Sequence, residues 1–313
     1  MDGGGKSLHH ESPPRPLKPM RFAVLADPES WYLRDLARAA AAQNHEVTQV
    51  SFSQIAAEVG GTGSPRIFSG EHELTSFDAL LVRTMPPGSL EQVVFRMDCL
   101  ARLEAQGIPV INPARAVEAA VDKYLTSARL QAAGLLTPRT ITCQTADDAM
   151  AAFESLGGNV VVKPLFGSEG RGITQLDDPA LALRAFKMLS QLGAVLYVQE
   201  FIEHEGCDLR LLVLGDEILA MKRRNPLDWR TNVSRGAKTE RLELTAELTD
   251  LAHRAADSVG APLAGVDVLP GKDGRLYVLE VNAVPGWKAL ARTLDVDVAA
   301  KVLELVAARC QAR

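Results

Sequence analysis

The residues best suited to chemistry lie in two neighbouring segments, Gly265-Val266-Asp267-Val268-Leu269 and Leu276-Tyr277-Val278-Leu279-Glu280-Val281-Asn282. A two-residue strand period puts Glu280 and Asn282 on one face and Val281 on the other. Asp273-Gly274 between the segments is a favoured two-residue hairpin turn. With Lys272 opposite Arg275, Asp267 stands opposite Glu280, and Gly265 opposite Asn282. Asp267, Glu280 and Asn282 then present three oxygen ligands on one face, a donor set that suits a hard divalent cation such as Mg2+. Pro270 and Gly271 weaken strict pairing, so a bulge can shift the register. The same pattern also describes a solvated sheet face, but Val281, Ala283, Val284, Pro285 and Gly286 surround these polar groups with apolar and turn residues.

Cationic residues answer these acids. Lys163 ends the buried-type run Val160-Val161-Val162, and Gly167-Ser168-Glu169-Gly170-Arg171-Gly172 follows it. Three closely spaced glycines let a backbone approach a ligand and aim several N–H groups at it. No Gly-Lys-Ser/Thr follows, and the loop joins two expected strands, which excludes a P-loop. The loop reads either as a hairpin turn or as a phosphate flap. Lys163 correspondingly either snorkels to water or reaches anionic phosphates beneath the flap. Further on, backbone groups near Glu200 and Phe201 suit an adenine edge, and Asp208 suits a ribose hydroxyl. Asp208 and Arg210 share a strand face, which also fits a surface ion pair of little energetic weight.

The elements that must hold these residues alternate strand and helix. The segment from Arg21 to about residue 113 has a β-α-β rhythm, expected to form a small parallel α/β domain. Asp27-Pro28-Glu29-Ser30 follows its first strand in place of a glycine fingerprint, so dinucleotide binding of the Rossmann kind is excluded. Residues 60–72 read as a loop, 114–131 as one helix carrying Lys123, 223–240 as a long polar loop, and about 296–308 as the final helix.

The chain has 313 residues, 47% hydrophobic and 5% aromatic, with 34 Lys and Arg against 39 Asp and Glu and a net charge of −5. An acidic, aromatic-poor chain argues against nucleic acid as a partner. No apolar run approaches the roughly 18 residues of a membrane helix. The proline-rich segment 1–19 reads as a disordered leader, with His9-His10 a solvated pair, and has no secretory h-region. Cys99, Cys143, Cys207 and Cys310 show no metal-ligand spacing, which fits a reducing, cytoplasmic setting.

In their order along the chain, these pieces resemble the ATP-grasp superfamily, and within it the RimK-like α-L-glutamate ligases. The resemblance rests on Asp122-Lys123, Val162-Lys163, the Gly167–Gly172 loop, Val198-Gln199-Glu200-Phe201-Ile202, Cys207-Asp208-Leu209-Arg210, Arg230-Thr231-Asn232, Arg235-Gly236, Ala264-Gly265-Val266-Asp267 and Glu280–Gly286. It covers about residues 20–305. It implies an α/β (α+β) ATP-grasp fold behind an N-terminal parallel α/β (pre-ATP-grasp) domain. The divisions are 20–113, a central lobe at 114–195 with the glycine-rich flap, and a C-terminal lobe at 196–313 with the metal site.

The resemblance also implies roles. Lys123 and Lys163 hold nucleotide phosphates, and Gly167, Ser168, Gly170 and Gly172 belong to the flap. Glu200 and Phe201 hold adenine, and Asp208 the ribose. Arg230, Thr231 and Asn232 complete the nucleotide site. Arg210 and Arg235 stabilise an acyl phosphate and its tetrahedral successor, while Asp267, Glu280 and Asn282 bind two Mg2+ or Mn2+ ions. The implied reaction joins an amino acid, glutamate, to a small-molecule carboxylate at the expense of ATP, in a homodimer or homotetramer. The segment Asp228–Asn232 is similar to ligases of pterin and deazaflavin coenzymes and to the carrier-protein ligases of lysine biosynthesis. A protein or carrier-protein acceptor, an ATP-grasp kinase and a non-catalytic ATP-binding regulator are the alternatives.

Overall fold

In the computed structural model, which describes residues 18–167, 171–233 and 236–311, the run Arg21–Leu25 is strand β1. Its Phe22, Ala23, Val24 and Leu25 are buried, as a strand covered on both faces requires. Helix α1 (Trp31–Ala42) leads to β2 (Glu46–Val50). A small antiparallel sheet follows, made of β3 (Ile55–Glu58), β4 (Arg66–Ser69) and β5 (His72–Glu73). It corrects the loop expected over 60–72, because the glycine-rich stretch forms only the tip of the β3–β4 hairpin. Then come β6 (Ala79–Val82), α2 (Leu90–Ala105) and β7 (Val110–Ile111), giving a parallel sheet in the order β2-β1-β6-β7.

The expected single helix at 114–131 is two, α3 (Ala114–Val121) and α4 (Lys123–Ala132). Asp122 breaks it by capping: its carboxylate accepts from the Leu125 N–H at 3.0 Å. Lys123 thereby becomes the first residue of a helix. A small lobe follows, comprising β8 (Thr140–Cys143), α5 (Ala146–Ser155), β9 (Val160–Lys163), β10 (Thr174–Leu176), α6 (Pro179–Gln191) and β11 (Leu196–Glu200). Its antiparallel sheet runs β10-β9-β11-β8 and packs on α5 and α6 through Phe153, Val160, Val162, Phe186 and Val198.

The remaining elements are β12 (Cys207–Leu214), β13 (Glu217–Arg224), β14 (Lys238–Arg241), α7 (Ala246–Val259), β15 (Leu263–Pro270), β16 (Leu276–Asn282), α8 (Lys288–Leu294) and α9 (Val298–Gln311). The sheet order is β14-β13-β12-β15-β16. β14 begins inside the loop expected at 223–240, and α8 precedes the expected last helix.

Packing divides the chain differently from the order of its motifs. Ala116, Val117 and Leu130 of α3 and α4 share one core with Leu80 and Leu100 of the N-terminal domain and Leu211, Val266 and Val281 of the C-terminal sheet. These parts form one body, and residues 140–200 are a lobe inserted into it. Asn112 fastens the body internally. It donates to the Leu263 carbonyl at 2.7 Å and to the Ala283 carbonyl, and accepts from Leu263 N–H at 3.0 Å. Arg83, beyond β6, lies over the rings of Tyr32 and Trp287, which touch edge to face, and donates to the Pro285 carbonyl at 2.8 Å. Burial lowers its guanidinium to about 10.

The β15–β16 hairpin reaches the expected pairing by another route. Gly271 and Arg275 close a three-residue turn, Lys272-Asp273-Gly274, with Gly274 left-handed at φ +78°. That turn sets Pro270 against Leu276, one residue away from the two-residue turn's register. A bulge between Asp267 and Val268, with Leu279 the extra residue, restores it. Asp267 faces Glu280 and Gly265 faces Asn282 because the two offsets cancel.

No helix among the described residues is long and apolar enough to cross a membrane. The four cysteines are free thiols. The leader and His9-His10 lie outside the described residues, apart from Lys18 and Pro19, which are exposed.

Candidate active site

Strand alternation gives the C-terminal sheet one apolar face and one divided face. Leu209, Leu211, Val266, Val268 and Val281 join the core on the first. On the second, Leu212, Leu214, Met221 and Leu263 are covered in a second core, while Asp208, Arg210, Arg223, Asp267 and Glu280 form a polar floor beyond them. Cross-strand pairing matches the charges, with Arg210 beside Asp267 and Asp208 beside Arg223. Arg210 Nη1 donates to Asp267 Oδ1 at 2.7 Å. Arg223 Nη2 reaches Asp267 Oδ2 at 2.9 Å and forks onto Asp208 with two bonds of 2.6 Å. The Thr231 hydroxyl completes the chain by donating to Asp208. Burial opposes the charge on Asp267, but the two guanidiniums outweigh it and hold the carboxyl at about 2.

Glu280 has the opposite situation. Burial raises its pKa, as does the charge of Asp267, while Lys163, Arg210 and Lys123 pull it down. Its carboxylate makes no hydrogen bond or ion pair among the described residues. Asn282 Oδ1 accepts from the Val284 N–H at 2.8 Å.

The small lobe and α4 supply the cations. Lys163 Nζ donates to Gln199 Oε1 at 2.6 Å, and burial lowers it to about 8 against the pull of Glu280. Lys123 Nζ donates to the Gly167 carbonyl at 3.0 Å, so the flap's first residue rests on α4. Burial lowers Lys123 as well, opposed by Glu280 and Asp122. Gly167 and Gly172 border the flap, while Ser168 and Gly170, expected within it, lie outside the described residues.

Several expected residues are differently employed. The Glu200 N–H donates to the Arg139 carbonyl at 2.9 Å and the Phe201 N–H to the Asn159 carbonyl at 3.1 Å, so neither is left for an adenine edge. Glu200 also accepts from Arg139 N–H at 2.7 Å. Asp208, expected at a ribose, is buried with both oxygens held by Arg223 and Thr231. Thr231 is therefore a partner of the charge network. Arg230 is held by Asp228 at 2.8 Å and reaches the Ile173 carbonyl at 3.5 Å, beside the flap's second strand. Asn232 is half-buried beside Thr231. Arg235 lies outside the described residues. Arg223 escaped sequence reasoning because residues from 223 onward read as loop. Carrying the alternation of β13 two residues past Met221 would have found it.

The donor set fits a hard divalent ion. Two carboxylates and an amide oxygen share one face, and the Glu280 carboxylate, its charge disfavoured by burial and by Asp267, has no hydrogen-bond or ion-pair partner among the described residues. Among the described residues no three His, Cys, Asp or Glu side chains gather to cage an ion, so phosphate and water oxygens would have to complete the coordination.

Comparison with known proteins identifies the family. The sequence model of the RimK-like ATP-grasp domain matches residues 120–306, and that of the RimK PreATP-grasp domain matches residues 20–117. The tetrahydromethanopterin:alpha-L-glutamate ligase of Methanosarcina acetivorans is 31% identical, over 90% of this chain and 96% of that one. A RimK domain ATP-grasp protein from Sphaerobacter thermophilus superposes with a TM-score of 0.68 at 26% identity, over 91% of this chain and 99% of the other. The ATP-grasp ligase PsnB, complexed with minimal precursor, Mg and ADP, has the same fold, with a TM-score of 0.73 at 22% identity over 92% and 97% of the two chains. In sequence along both halves and in the path of its backbone, the chain belongs to the RimK-like ATP-grasp family.

Proposed function

We propose that the chain is an ADP-forming ligase that adds L-glutamate, through its amine, to the carboxylate of a small molecule. The observation that carries this reading is Glu280, opposite Asp267, whose carboxylate has no hydrogen-bond or ion-pair partner among the described residues and feels the charges of Lys163, Arg210 and Lys123. Such a site suits a triphosphate and its metal. The activity named for the Methanosarcina acetivorans relative supports the choice of glutamate and of a pterin-like acceptor.

A carboxylate is a poor electrophile, and phosphorylation by ATP supplies the leaving group. The acid oxygen attacks the γ-phosphorus, the bond to ADP breaks, and an acyl phosphate forms. The glutamate amine then attacks the acyl carbon, phosphate departs, and the nitrogen loses a proton. Lys163 and Lys123 hold the phosphates in line, and Gly167 and Gly172 bound the segment read as the phosphate flap. Arg210 stands where charge develops on the transferred group and on the tetrahedral intermediate, with Arg235 as its assigned companion. Asp267, Glu280 and Asn282 would hold Mg2+, assigned as two ions, which neutralise phosphate charge and polarise the phosphorus. Carbonyls near Glu200 and Phe201 face the adenine amine, since the N–H groups there are occupied. Arg230 ties the loop that carries Thr231 and Asn232 to the flap. Asp208 supports Arg223, and through it Asp267, in place of touching the ribose.

ADP release measured across candidate acids, with and without glutamate, tests the reading. Release that needs both acid and amine, with a product heavier by one glutamyl residue in mass spectrometry, supports it. A phosphorylated product formed from one substrate alone would make the protein a kinase. ATP binding without turnover in any mixture would make it a regulator.

A further inference from the structure

Lys163 owes its position to another side chain. A lysine ammonium is a compact charge on a flexible stem, and nothing in its own bonding fixes where it points. On β11, Gln199 and Tyr197 lie on the face opposite the small lobe's core, with Tyr197 directly across from Lys163. Gln199 Oε1 accepts from Lys163 Nζ at 2.6 Å. The other end of that amide is committed twice, since Nε2 donates to Thr140 Oγ1 at 2.9 Å and to Tyr197 Oη at 3.2 Å.

Proton accounting shows that the amide cannot be reversed. The Thr140 hydroxyl spends its one hydrogen on the Pro138 carbonyl at 3.0 Å, so toward Gln199 it can only accept. Gln199 must therefore present its nitrogen to Thr140 and its oxygen to Lys163. A flipped amide would set an NH2 group against an ammonium and leave Thr140 facing an acceptor.

The chain of contacts then leaves the small lobe. Tyr197 Oη and Ser127 Oγ lie 2.8 Å apart. Ser127 sits one turn along α4 from Lys123, on the same side of the helix, and α4 belongs to the body. A single line, Lys163–Gln199–Tyr197–Ser127, thus joins a lysine of the inserted lobe to the helix that begins with the other phosphate-site lysine.

We propose that Gln199, held by Thr140 and Tyr197, is a positioning residue that aims the Lys163 ammonium at the bound nucleotide and ties that aim to the seating of the small lobe on α4. The proposal rests on reading Lys163 as a phosphate ligand. Gln199 and Thr140 fix the lysine within the lobe, and through Tyr197 and Ser127 the seated lobe adds a second hold from α4.

Calorimetric titration with ATP and Mg2+ tests this without knowledge of the acid substrate. Lys163→Met, Gln199→Leu and the double variant are compared, each checked by thermal melting. Gln199→Leu should weaken ATP binding by about tenfold or more, the value of one hydrogen bond to a charged group. The double variant should bind within about twofold of Lys163→Met alone, because Gln199 acts only through the lysine. Full additivity in the double variant, or wild-type binding by Gln199→Leu, overturns the proposal. Should Gln199→Leu fail to fold, Tyr197→Phe removes one oxygen, the acceptor for Nε2 and the contact with Ser127. It should give a smaller loss that likewise vanishes in the Lys163→Met background, and an additive loss overturns the proposal. Unchanged ATP affinity in Lys163→Met would overturn the phosphate-site reading itself, together with this inference, whereas a weakened Lys163→Met beside an unaffected Gln199→Leu refutes the inference alone.

Discussion

Replacing Gly265 with alanine should separate folding from function. A methyl group built on this residue would lie 2.6 Å from both Cζ and Nη2 of Arg210 and 3.0 Å from its Nε. Ordinary carbon contacts are about 3.5 Å or longer, so the guanidinium must retreat by about 1 Å. The atoms struck are the far end of a side chain, so the strand can keep its path and the side chain must yield. Arg210 Nη1 sits 2.7 Å from Asp267 Oδ1, and a 1 Å displacement breaks that bond. Asp267 keeps Arg223, so its burial is still compensated. The stability cost should then be that of one charge-assisted bond, about 1.5–3 kcal/mol. A 1 Å misplacement of a group that must meet developing charge costs on the order of a hundredfold in rate. Denaturation curves, read beside kcat/KM for ATP-dependent turnover, measure the two effects. An alanine variant that folds and retains turnover within about threefold of the parent would refute the claim that Gly265 exists to seat Arg210.

Three further outcomes follow from the same geometry. Glu280→Gln should abolish turnover yet melt no lower than the parent without nucleotide and metal, since its charge is disfavoured by burial and by Asp267; a clear drop in melting temperature would contradict that balance. The value of kcat/KM for ATP should fall as pH rises through about 8, because Lys163 carries its proton below that value and loses it above; a flat profile to about pH 9.5 would remove Lys163 from the phosphate site. Asn112→Ala should lower the melting temperature by roughly 5 °C or more, because it strands two carbonyls and an N–H of Leu263 and Ala283 in the core, and a shift below about 2 °C would show that the body does not depend on this fastening.

The facing of Asp267 and Glu280 was legible because strand period and turn chemistry are local properties of the chain. The way the facing is achieved was not. A three-residue turn and a bulge each displace the register, and only their sum matches the simpler reading. β14 was hidden for another physical reason. It is an edge strand with Lys238, Glu240 and Arg241 exposed, so it carries no apolar alternation to read. The break between α3 and α4 rests on one capping carboxylate in an otherwise continuous helical pattern. Asp208 shows the limit most clearly. Its residue type suits a ribose, and only the pairing of β12 with β13 reveals that an arginine already occupies it.

The inserted small lobe has a consequence for how the chain is made. Its core is drawn from residues 141–198, an unbroken stretch. The body's two cores recruit residues from 23 to 283 and from 20 to 307. Synthesis runs from the N-terminus, and domains fold as units once their residues have emerged. The lobe that will carry Lys163 can thus close its core while the β15–β16 hairpin is still unmade. The parallel N-terminal sheet, although translated first, has only α1, through Leu33, Leu36, Ala39 and Ala40, on its second face until Trp287, Val302 and Val306 complete that core. Truncation from the C-terminus should therefore uncover the oldest part of the chain, leaving α1 and the sheet edge it packs on without their outer layer and open to aggregation while the lobe stays folded.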